Sequence, residues 1–472
     1  GGDCDRITEV LVQPVVTVTE MAALDAEALQ STTHAELVDR AGAAVAEAAI
    51  RLLGDPRDRN VVVIAGGGSN GADGRVASQI LAERGAVLDI VSPTAGPGEL
   101  TGADLVIDAA FGTGLSRDVA GPSAPAGAVV LAVDLPSGLD GDTGARRGSP
   151  MRADVTVTMA ALKPGLLLGA GPALSGDIEI ADIGIVVRGA TRFFVVDDDL
   201  ASIPARSREA HKWSAAVVVV AGSPGMEGAA SLASLGALRS GAGMVRLCSP
   251  RSEGAPAVSW PLEIVRQEVD PDALVEAVTG GSSRSKAIVV GPGLGRSPEL
   301  RHAIREILAS RNAPVVLDAD GLAAVDGPAD LATLVAASDH AVILTPHAGE
   351  LERLLGSPEE ASGDDRVAVL QRLAESSGAI VLSKGPTTVV VEPEGTVYFV
   401  TAGTPALATA GTGDVLSGII GALLARGVAP GEAAALAAHV HGRAGSRCRG
   451  TLIASDLPAL VGDVLGEWRH GG

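Results

Sequence analysis

Short runs of valine, isoleucine and leucine alternate along this chain with longer segments in which alanine and leucine recur at helical spacing. Many of the short runs end in glycine or aspartate, as buried strands of a parallel sheet commonly do. The amphipathic segments between them predict helices that cover the sheet. The pattern therefore predicts an α/β protein.

The predicted elements divide into two series. In the first half, the pattern predicts a helix near Met21–Leu53 and strands at Val61–Ala65, Val87–Val91, Leu105–Asp108, Val129–Asp134 and Val155–Met159. In the second half, it predicts strands at Ala216–Ala221, Met244–Cys248, Ala287–Val290, Val315–Asp318, Ala341–Leu344 and Ile380–Ser383, then a hairpin of Thr387–Val391 and Val397–Thr401. The helices predicted there lie near Glu227–Ser240, Glu299–Ala309, Val367–Ser376, Val415–Ala425 and Glu432–Arg447.

A charged segment separates the two series. Val195–Arg208 contains three successive aspartates and a proline, which is typical of a linker. A chain of 472 residues has room for two domains of ordinary size. Because the halves show no internal repeat, we predict two unlike domains, residues 1–204 and 205–472.

Composition narrows the possible partners. Hydrophobic residues make up 46% of the chain but aromatic residues only 2%, so the cores must be aliphatic. The net charge of −21 disfavours a nucleic-acid partner or an anionic membrane, although a local nest of backbone amides can still hold an anion. Three cysteines without CxxC spacing, no long apolar run and no signal pattern lead us to expect a cytoplasmic protein. We also expect a homo-oligomer.

The first glycine-rich loop, residues 66–74, reads GGGSNGADG between a predicted strand and a predicted helix. Its glycines satisfy GxGxxG, and Asp89 closes the next strand where a ribose-binding acid would lie, so a nicotinamide dehydrogenase is one interpretation. Asn70 and Asp73 argue against it, because a dinucleotide loop needs bare backbone there. A glycine turn that binds nothing is a third interpretation.

Two more polar loops follow strands in the first half. Residues 108–118 read DAAFGTGLSRD, and residues 134–140 read DLPSGLD. The glycines and Thr113 could hold phosphate, with Arg117 supplying positive charge. Three side chains in these loops and the first one offer only oxygen ligands, which suit an alkali or alkaline-earth ion: Asn70, Asp108 and Ser137. Taken singly, each loop could equally be a turn or a helix cap.

The three loops, with Lys163-Pro164-Gly165 after them, resemble the N-terminal YjeF domain, the NAD(P)HX epimerase, which has a Rossmann-like three-layer fold. The resemblance implies that Asn70, Asp108 and Ser137 bind K⁺ and that Asp134 transfers a proton. It implies that the hydrated nicotinamide nucleotide is held by Ser69, Asn70, Gly71, Ala72, Asp73, Gly112, Thr113, Gly114, Leu115, Ser116, Arg117, Asp118 and Asp134. Ser69 and Ala72 depart from the asparagine and glycine of the family pattern.

In the second half, the most informative loop is Gly411-Thr412-Gly413-Asp414, at the start of an apolar predicted helix. Two glycines and a threonine at a helix start leave backbone N–H groups free to hold an anion. Asp414 suits a base that acts on a hydroxyl next to a phosphate. This arrangement indicates phosphoryl chemistry, and the alternative is a bare turn.

Other loops accompany it at predicted strand ends. Residues 291–295 read GPGLG, residues 318–322 DADGL, residues 345–350 TPHAGE and residues 384–388 KGPTT. The absence of GxxxxGK[ST] from the sequence excludes a P-loop enzyme. His347 could instead cap a helix, Lys384 could be solvated, and the aspartates of the second loop could be structural.

These motifs in this order resemble the C-terminal YjeF domain, the ADP/ATP-dependent NAD(P)HX dehydratase with a ribokinase-like fold. The resemblance implies ADP as phosphoryl donor and a requirement for Mg²⁺. It assigns to the hydrated substrate Ala229, Gly293, His347 and Asp414. It assigns to the adenine nucleotide Lys384, Gly385, Pro386, Thr387, Thr388 and Gly413.

The two resemblances together imply a nicotinamide nucleotide repair enzyme whose small-molecule partners are NADHX, NADPHX and ADP. An epimerase would convert the R form into the S form that the dehydratase accepts. Two alternatives remain at this point. The second half could be a small-molecule kinase of the same fold, and the first half could be a non-catalytic module that binds nucleotide or protein.

Overall fold

The computed structural model describes residues 13–93, 98, 100–115, 117–251, 260–280, 284–357 and 365–470. The chain forms two compact units, which divide between Arg192 and Phe193. We call Gln13–Arg192 the first unit and the described residues from Phe193 onward the second unit. None of the described helices combines the length and the hydropathy that crossing a bilayer requires.

The first unit contains a parallel sheet with helices. Its strands are β1 (Gln13–Pro14), β2 (Asn60–Ala65), β3 (Val87–Val91), β4 (Leu105–Ala109), β5 (Val129–Val133), β6 (Val155–Met159) and β7 (Asp177–Ala181). Its helices are α1 (Val18–Ala28), α2 (His34–Leu53), α3 (Ser69–Glu83), α4 (Pro164–Leu167) and α5 (Gly171–Leu174). The sheet order is β3-β2-β4-β5-β6-β7, with every pair parallel.

This order places a topological switch point between β2 and β4. The strand that follows β2 in the chain, β3, lies on one side of it, and the next strand, β4, lies on the other. Both strands are apolar and largely buried, as the valine-rich runs predicted. In open α/β sheets, ligands bind at the carboxyl ends of the strands beside such a point. The loops that follow β2 and β4 carry the first two predicted motifs.

One predicted helix of the first unit is in fact two. The sequence pattern predicted a single helix near Met21–Leu53, but α2 begins anew at His34. Thr33 starts it with a capping box, in which the Thr33 hydroxyl accepts from the Glu36 N–H at 3.2 Å and the Glu36 carboxylate accepts from the Thr33 N–H at 2.8 Å. The local cap therefore overrides the continuous helical spacing.

The second unit contains the larger sheet. Its strands are β8 (Arg192–Phe194), β9 (Ala216–Val220), β10 (Met244–Pro250), β11 (Ile264–Val269), β12 (Ala287–Val290), β13 (Val315–Leu317), β14 (Val342–Leu344), β15 (Ile380–Ser383), β16 (Thr388–Val391) and β17 (Val397–Val400). Its helices are α6 (Glu227–Arg239), α7 (Pro271–Thr279), α8 (Pro298–Ala309), α9 (Pro328–Ala336), α10 (Ala348–Leu355), α11 (Arg366–Ser377), α12 (Thr412–Ala425), α13 (Pro430–Ser446) and α14 (Leu457–His470).

The strand order in this unit is β8-β17-β16-β15-β14-β13-β12-β9-β10-β11. Strands β9 to β15 run parallel, whereas β16 and β17 form the predicted antiparallel hairpin. The switch point lies between β9 and β12. Helix α12 is buried along almost its whole length, so the phosphate-binding loop predicted at its start is fixed to the core.

The segment predicted as a linker, residues 195–208, contributes buried residues to the second unit. Leu200 and Ile203 are buried in the core of the second unit, and Asp199 is 2% exposed. Asp197 pairs with His439 and Arg443 of α13. The charged run therefore belongs to the folded second unit, because its apolar residues enter the core and Asp197 has partners on a neighbouring helix.

Candidate active sites

The first candidate site lies where the loops after β2 and β4 approach each other. A Cβ at Gly66 would overlap the carbonyl oxygen of Ala110. A Cβ at Gly112 would lie 2.5 Å from Oδ1 of Asn70. Only glycine permits approaches this close, so these glycines bring the two predicted motifs together.

The three predicted oxygen ligands lie in these loops and in the loop after β5. Asp108 is 1% exposed, and its Oδ2 accepts from the Ser137 N–H at 2.8 Å. Ser137 Oγ also accepts from the Phe111 N–H at 2.9 Å, while Asn70 Nδ2 donates to the Val133 carbonyl at 2.6 Å. Burial raises the pKa of Asp108 despite the hydrogen bonds from Ser137. No ion pair to Asp108 occurs among the described residues.

Asp134 follows β5 and forms a buried ion pair. Lys163 is completely buried, and its Nζ donates to Asp134 Oδ1 at 2.6 Å and to the Met159 carbonyl at 2.9 Å. Thr158 Oγ1 donates to the same carboxylate oxygen at 3.1 Å. The φ of Asp134 is +66°, in the left-handed region, so the backbone sets the direction of its Cα–Cβ bond. The carboxylate is thus held rigidly at the sheet edge.

A second buried acid stands at the start of α3. Asp73 is 5% exposed. Burial, with the charges of Asp134 and Asp25, raises the pKa of Asp73 to about 7. Asp73 therefore exchanges a proton near neutral pH beside Asp134. Asp25 was not predicted as a site residue, because an aspartate within an amphipathic helix usually lies on its solvent-exposed face.

The remaining predicted residues of the first site lie nearer the surface. Arg117 is exposed and, with Gly66 and Gly67, lines an open cavity of about 480 Å³. Gly114 and Asp118 are exposed, and Thr113 is partly buried. Ser69 is also exposed, Ala72 and Leu115 are partly buried, and Gly71 is buried. Ser116 lies outside the described residues.

The second candidate site is centred on the start of α12. Gly411 has φ of +90° and ends the preceding loop, and no side chain caps the first turn of the helix. The Thr412 N–H donates to the Thr409 carbonyl at 3.3 Å, whereas the N–H groups of Gly413 and Asp414 remain available to an anion. Asp414 lies in this turn. Burial and the charge of Asp318 raise the pKa of Asp414 to about 7, although Lys384 opposes the rise.

Lys384 connects this helix start with the loop after β13. Its Nζ donates to Asp318 Oδ1 at 3.0 Å, and Ser417 Oγ donates to Asp318 Oδ2 at 2.6 Å. A Cβ at Gly413 would lie 3.4 Å from the lysine Nζ. Burial alone would lower the pKa of Lys384, but the charges of Asp318 and Glu350 raise it. Asp318 therefore holds the charged Lys384 side chain in place. The alternative in which this side chain is simply solvated is wrong.

Two other predicted substrate residues meet at the switch point of the second sheet. Gly293 has φ of +56°, and a Cβ there would lie 3.0 Å from the Cβ of Ala229. The Gly293 carbonyl accepts from the Ser223 N–H at 2.6 Å. The loop after β12 thus packs against the start of α6. Gly293 is buried there and Ala229 is partly buried.

His347 caps α10, as one interpretation of the sequence allowed. Its Nδ1 accepts from the Gly349 N–H at 3.1 Å and from the Glu350 N–H at 3.4 Å. Because Nδ1 accepts, Nε2 carries the ring proton. The ring is nevertheless exposed, and its Nε2 lies 3.5 Å from Glu350 Oε1, so His347 caps the helix while its ring remains accessible from solvent.

The KGPTT loop lines a cavity of about 500 Å³ with a mostly apolar wall. Its wall includes Lys384, Gly385, Pro386, Thr388 and Gly413, together with Leu416, Ala438 and His441. Burial lowers the pKa of His441 to about 4, and its Nε2 lies 2.9 Å from the Thr412 carbonyl. The neutral ring therefore donates to that carbonyl. His441 was not predicted, because nothing in the sequence distinguishes it from the other polar residues of this alanine-rich helix.

Comparison with known proteins matches both units. The family described as NAD(P)H-hydrate dehydratase matches residues 217–465, and the family of YjeF-related protein N-termini matches residues 34–100 and 92–165. The bifunctional NAD(P)H-hydrate repair enzyme Nnr of Salinibacter ruber is 35% identical, with 98% of each chain covered. The chain belongs to the bifunctional NAD(P)H-hydrate repair enzyme family. The enzyme of the same name from Mycobacterium tuberculosis is 36% identical over 89% of this chain and 90% of its own.

A solved structure supports the fold of the second unit. The ADP/ATP-dependent NAD(P)H-hydrate dehydratase of Bacillus subtilis, co-crystallised with ATP and Mg²⁺, is 28% identical, with a TM-score of 0.51. It covers 58% of this chain and 98% of its own. The predictions of an α/β fold and of membership in this family are therefore confirmed.

Proposed function

We propose that the chain repairs hydrated nicotinamide nucleotides, with an epimerase in the first unit and an ADP-dependent dehydratase in the second. In this proposal, the R and S forms of NADHX or NADPHX interconvert, and the S form is dehydrated to NADH or NADPH with release of AMP and phosphate. The observation that carries the proposal is Asp414, a partly buried acid with a pKa of about 7 in the uncapped first turn of α12.

Dehydration requires a better leaving group than hydroxide. The substrate carries a hydroxyl at C6 of the reduced ring, and Asp414 is placed to take its proton as the oxygen attacks the terminal phosphoryl group of ADP. The N–H groups at the start of α12 would stabilise the charge on the transferred phosphoryl group. The phosphorylated C6 oxygen then leaves as phosphate and C5 releases a proton to water, so the ring regains its C5–C6 double bond and AMP remains.

Lys384 and the KGPTT loop would hold the donor. The apolar cavity of about 500 Å³ offers a place for the adenine, and Lys384 supplies positive charge between that cavity and Asp414. When bound, Mg²⁺ would neutralise charge on the donor phosphates. No cluster of metal-binding acids or histidines occurs among the described residues, so the ion would be held mainly by the phosphates and by water.

In the first unit, Asp134 and Asp73 would move the protons of epimerisation. Lys163 fixes the Asp134 carboxylate, and Asp73, with its pKa of about 7, can supply or accept a proton at neutral pH. Asn70, Asp108 and Ser137 fit K⁺ because they offer oxygen atoms and because Asp108 is a buried carboxylate without a basic partner in the described structure. The ion would compensate that charge and order the three loops.

The direct test uses separated epimers of hydrated NADH. The S form with ADP and Mg²⁺ should regain the near-ultraviolet absorbance of NADH, and a mixture of R and S should convert fully. No recovery from the S form would refute the dehydratase. A phosphorylated product that persists would favour a small-molecule kinase, and conversion of only the S fraction would indicate a non-catalytic first unit.

A further inference from the structure

Arg366, the first residue of α11, holds the loop that follows β15. Its Nη1 donates to the Thr387 carbonyl at 3.1 Å. Its Nη2 donates to the Ser383 carbonyl at 2.7 Å and to Ser383 Oγ at 2.8 Å, with a longer contact of 3.4 Å to the Lys384 carbonyl. One guanidinium thus joins the beginning and the end of the loop.

The loop lies directly against this side chain. A Cβ at Gly385 would be 3.0 Å from Nη1 of Arg366, so a side chain there would press on the guanidinium. Arg366 is partly buried, and no carboxylate from the described part of the chain forms an ion pair with it. Its donors are used on backbone carbonyls, which fix a conformation, rather than on an acid.

The opposite side of the same loop faces the cavity. Lys384, Gly385, Pro386 and Thr388 line it, and Lys384 extends from the loop to Asp318. We propose that Arg366 is a positioning residue for the adenine nucleotide, because it sets the conformation in which this loop binds the donor. The inference rests on the nucleotide site proposed for the second unit and adds to it a residue that does not line the cavity.

Arginine is the side chain that this task requires. A planar guanidinium presents several N–H groups at fixed angles, so it can reach carbonyls at both ends of the loop at once. The ammonium group of lysine carries the same charge but cannot reproduce the fork. Arg366→Lys therefore separates geometry from charge.

The test measures ADP binding by calorimetry and steady-state kinetics with the full chain. Arg366→Ala should weaken the Kd for ADP about tenfold, the effect of losing one or two charge-assisted hydrogen bonds. The KM for ADP should rise in parallel while kcat changes little, and Arg366→Lys should recover only part of the loss. A purely structural defect would instead reduce the active fraction, lowering apparent kcat without moving KM.

Arg372→Ala is the matched control, since Arg372 is an exposed arginine on the same helix. It should leave Kd and KM unchanged. Hydrogen exchange in residues 383–388 should become faster in Arg366→Ala and stay unchanged in Arg372→Ala. A folded Arg366→Ala protein with wild-type Kd and KM for ADP would overturn the inference.

Gly385→Ala tests the same contact from the other side. Its methyl group would displace the guanidinium, so KM for ADP should rise with Arg366 intact. In the double variant with Arg366→Ala, the two effects should not add, because both disturb one contact. Additive effects would count against the inference. A wild-type chain that does not bind ADP at all would instead refute the nucleotide site, and this role with it.

Discussion

The Nζ of Lys384 lies 3.0 Å from Oδ1 of Asp318, a carboxylate that is only 2% exposed. Ser417 occupies the other carboxylate oxygen. The same Asp318 charge raises the pKa of Asp414, while Lys384 lowers it. A single buried acid therefore both anchors the cation of the proposed nucleotide site and adjusts the proposed base.

Replacing Asp318 should change both properties. In Asp318→Asn, the lysine loses its anchor, so the KM for ADP should rise roughly tenfold, as expected for a lost charge-assisted hydrogen bond. Because a like charge is removed, the pKa of Asp414 should fall, and the acid limb of the pH profile of kcat/KM should move to lower pH. Ser417→Ala, which removes a hydrogen bond without a charge, should leave that limb in place. An unmoved limb in Asp318→Asn would contradict the electrostatic coupling.

Asp414 should govern turnover and its pH dependence. A base must be deprotonated, so with a pKa of about 7 in the free enzyme the wild-type kcat/KM should rise as pH increases through about 7. Asp414→Asn should reduce kcat by roughly 10²- to 10⁴-fold, the usual contribution of a general base, while calorimetry still detects ADP binding. Asp463→Asn, at an exposed position on α14, should behave as wild type. Wild-type turnover in Asp414→Asn would exclude it as the base.

Lys163 should be essential to the stability of the first unit. Lys163→Met leaves the Asp134 carboxylate buried without its cation, which should cost about 3–5 kcal/mol of unfolding free energy. The double variant Asp134→Asn/Lys163→Met should recover much of that loss, yet neither variant should convert the R epimer. Asp39→Asn, on the exposed face of α2, serves as control. Thermal unfolding and the separated-epimer assay distinguish the outcomes, and S-epimer dehydration should persist in both variants.

Asp73 should make the first unit less stable as pH rises. Its pKa in the folded state, about 7, is above the ordinary value of 3.8, so the folded state binds the proton more tightly than the unfolded state. The stability from this group is complete below about pH 4 and is lost as pH rises to about 7. Asp73→Asn, which cannot ionise, should therefore raise the melting temperature more at about pH 8 than at about pH 5 relative to wild type, because the wild type has lost less of this stability at the lower pH. Equal shifts at both pH values would argue against a protonated Asp73.

The strands were predictable wherever burial made them continuously apolar. Ala287–Val290 and Ile380–Ser383, which are buried throughout, are confirmed at both ends. Val87–Val91 is also confirmed at both ends, although it is an edge strand without a fully buried residue, because four of its five residues are still Val, Leu or Ile. The edge strands β7 and β11 were not predicted. Most of their residues are exposed or only partly buried, so their sequences mix charged and apolar positions and lack the run that identifies an interior strand.

The loops of the candidate sites were predictable from the sequence, but the side-chain contacts that connect them were not. The glycine motifs and the acids beside them predict candidate sites at these strand ends, and the structure brings Gly66 and Gly112 against neighbouring loops because close backbone approach requires glycine. The sequence contains no comparable signal for contacts between residues that are far apart in the chain. Lys384 and Asp318 are 66 positions apart, and Arg366 acts through carbonyl groups that every residue possesses. Only the folded chain reveals those contacts.

The division of the chain at Arg192 has an optical consequence. All three tryptophans, Trp213, Trp260 and Trp468, belong to the second unit, as does the single tyrosine. Tryptophan fluorescence therefore reports on the dehydratase half alone, whereas circular dichroism records both halves. Melting the chain by both methods would separate the unfolding of two halves without cutting them apart. Any NADH formed beside those indoles could also be detected by energy transfer, so the second unit carries its own intrinsic probe of product.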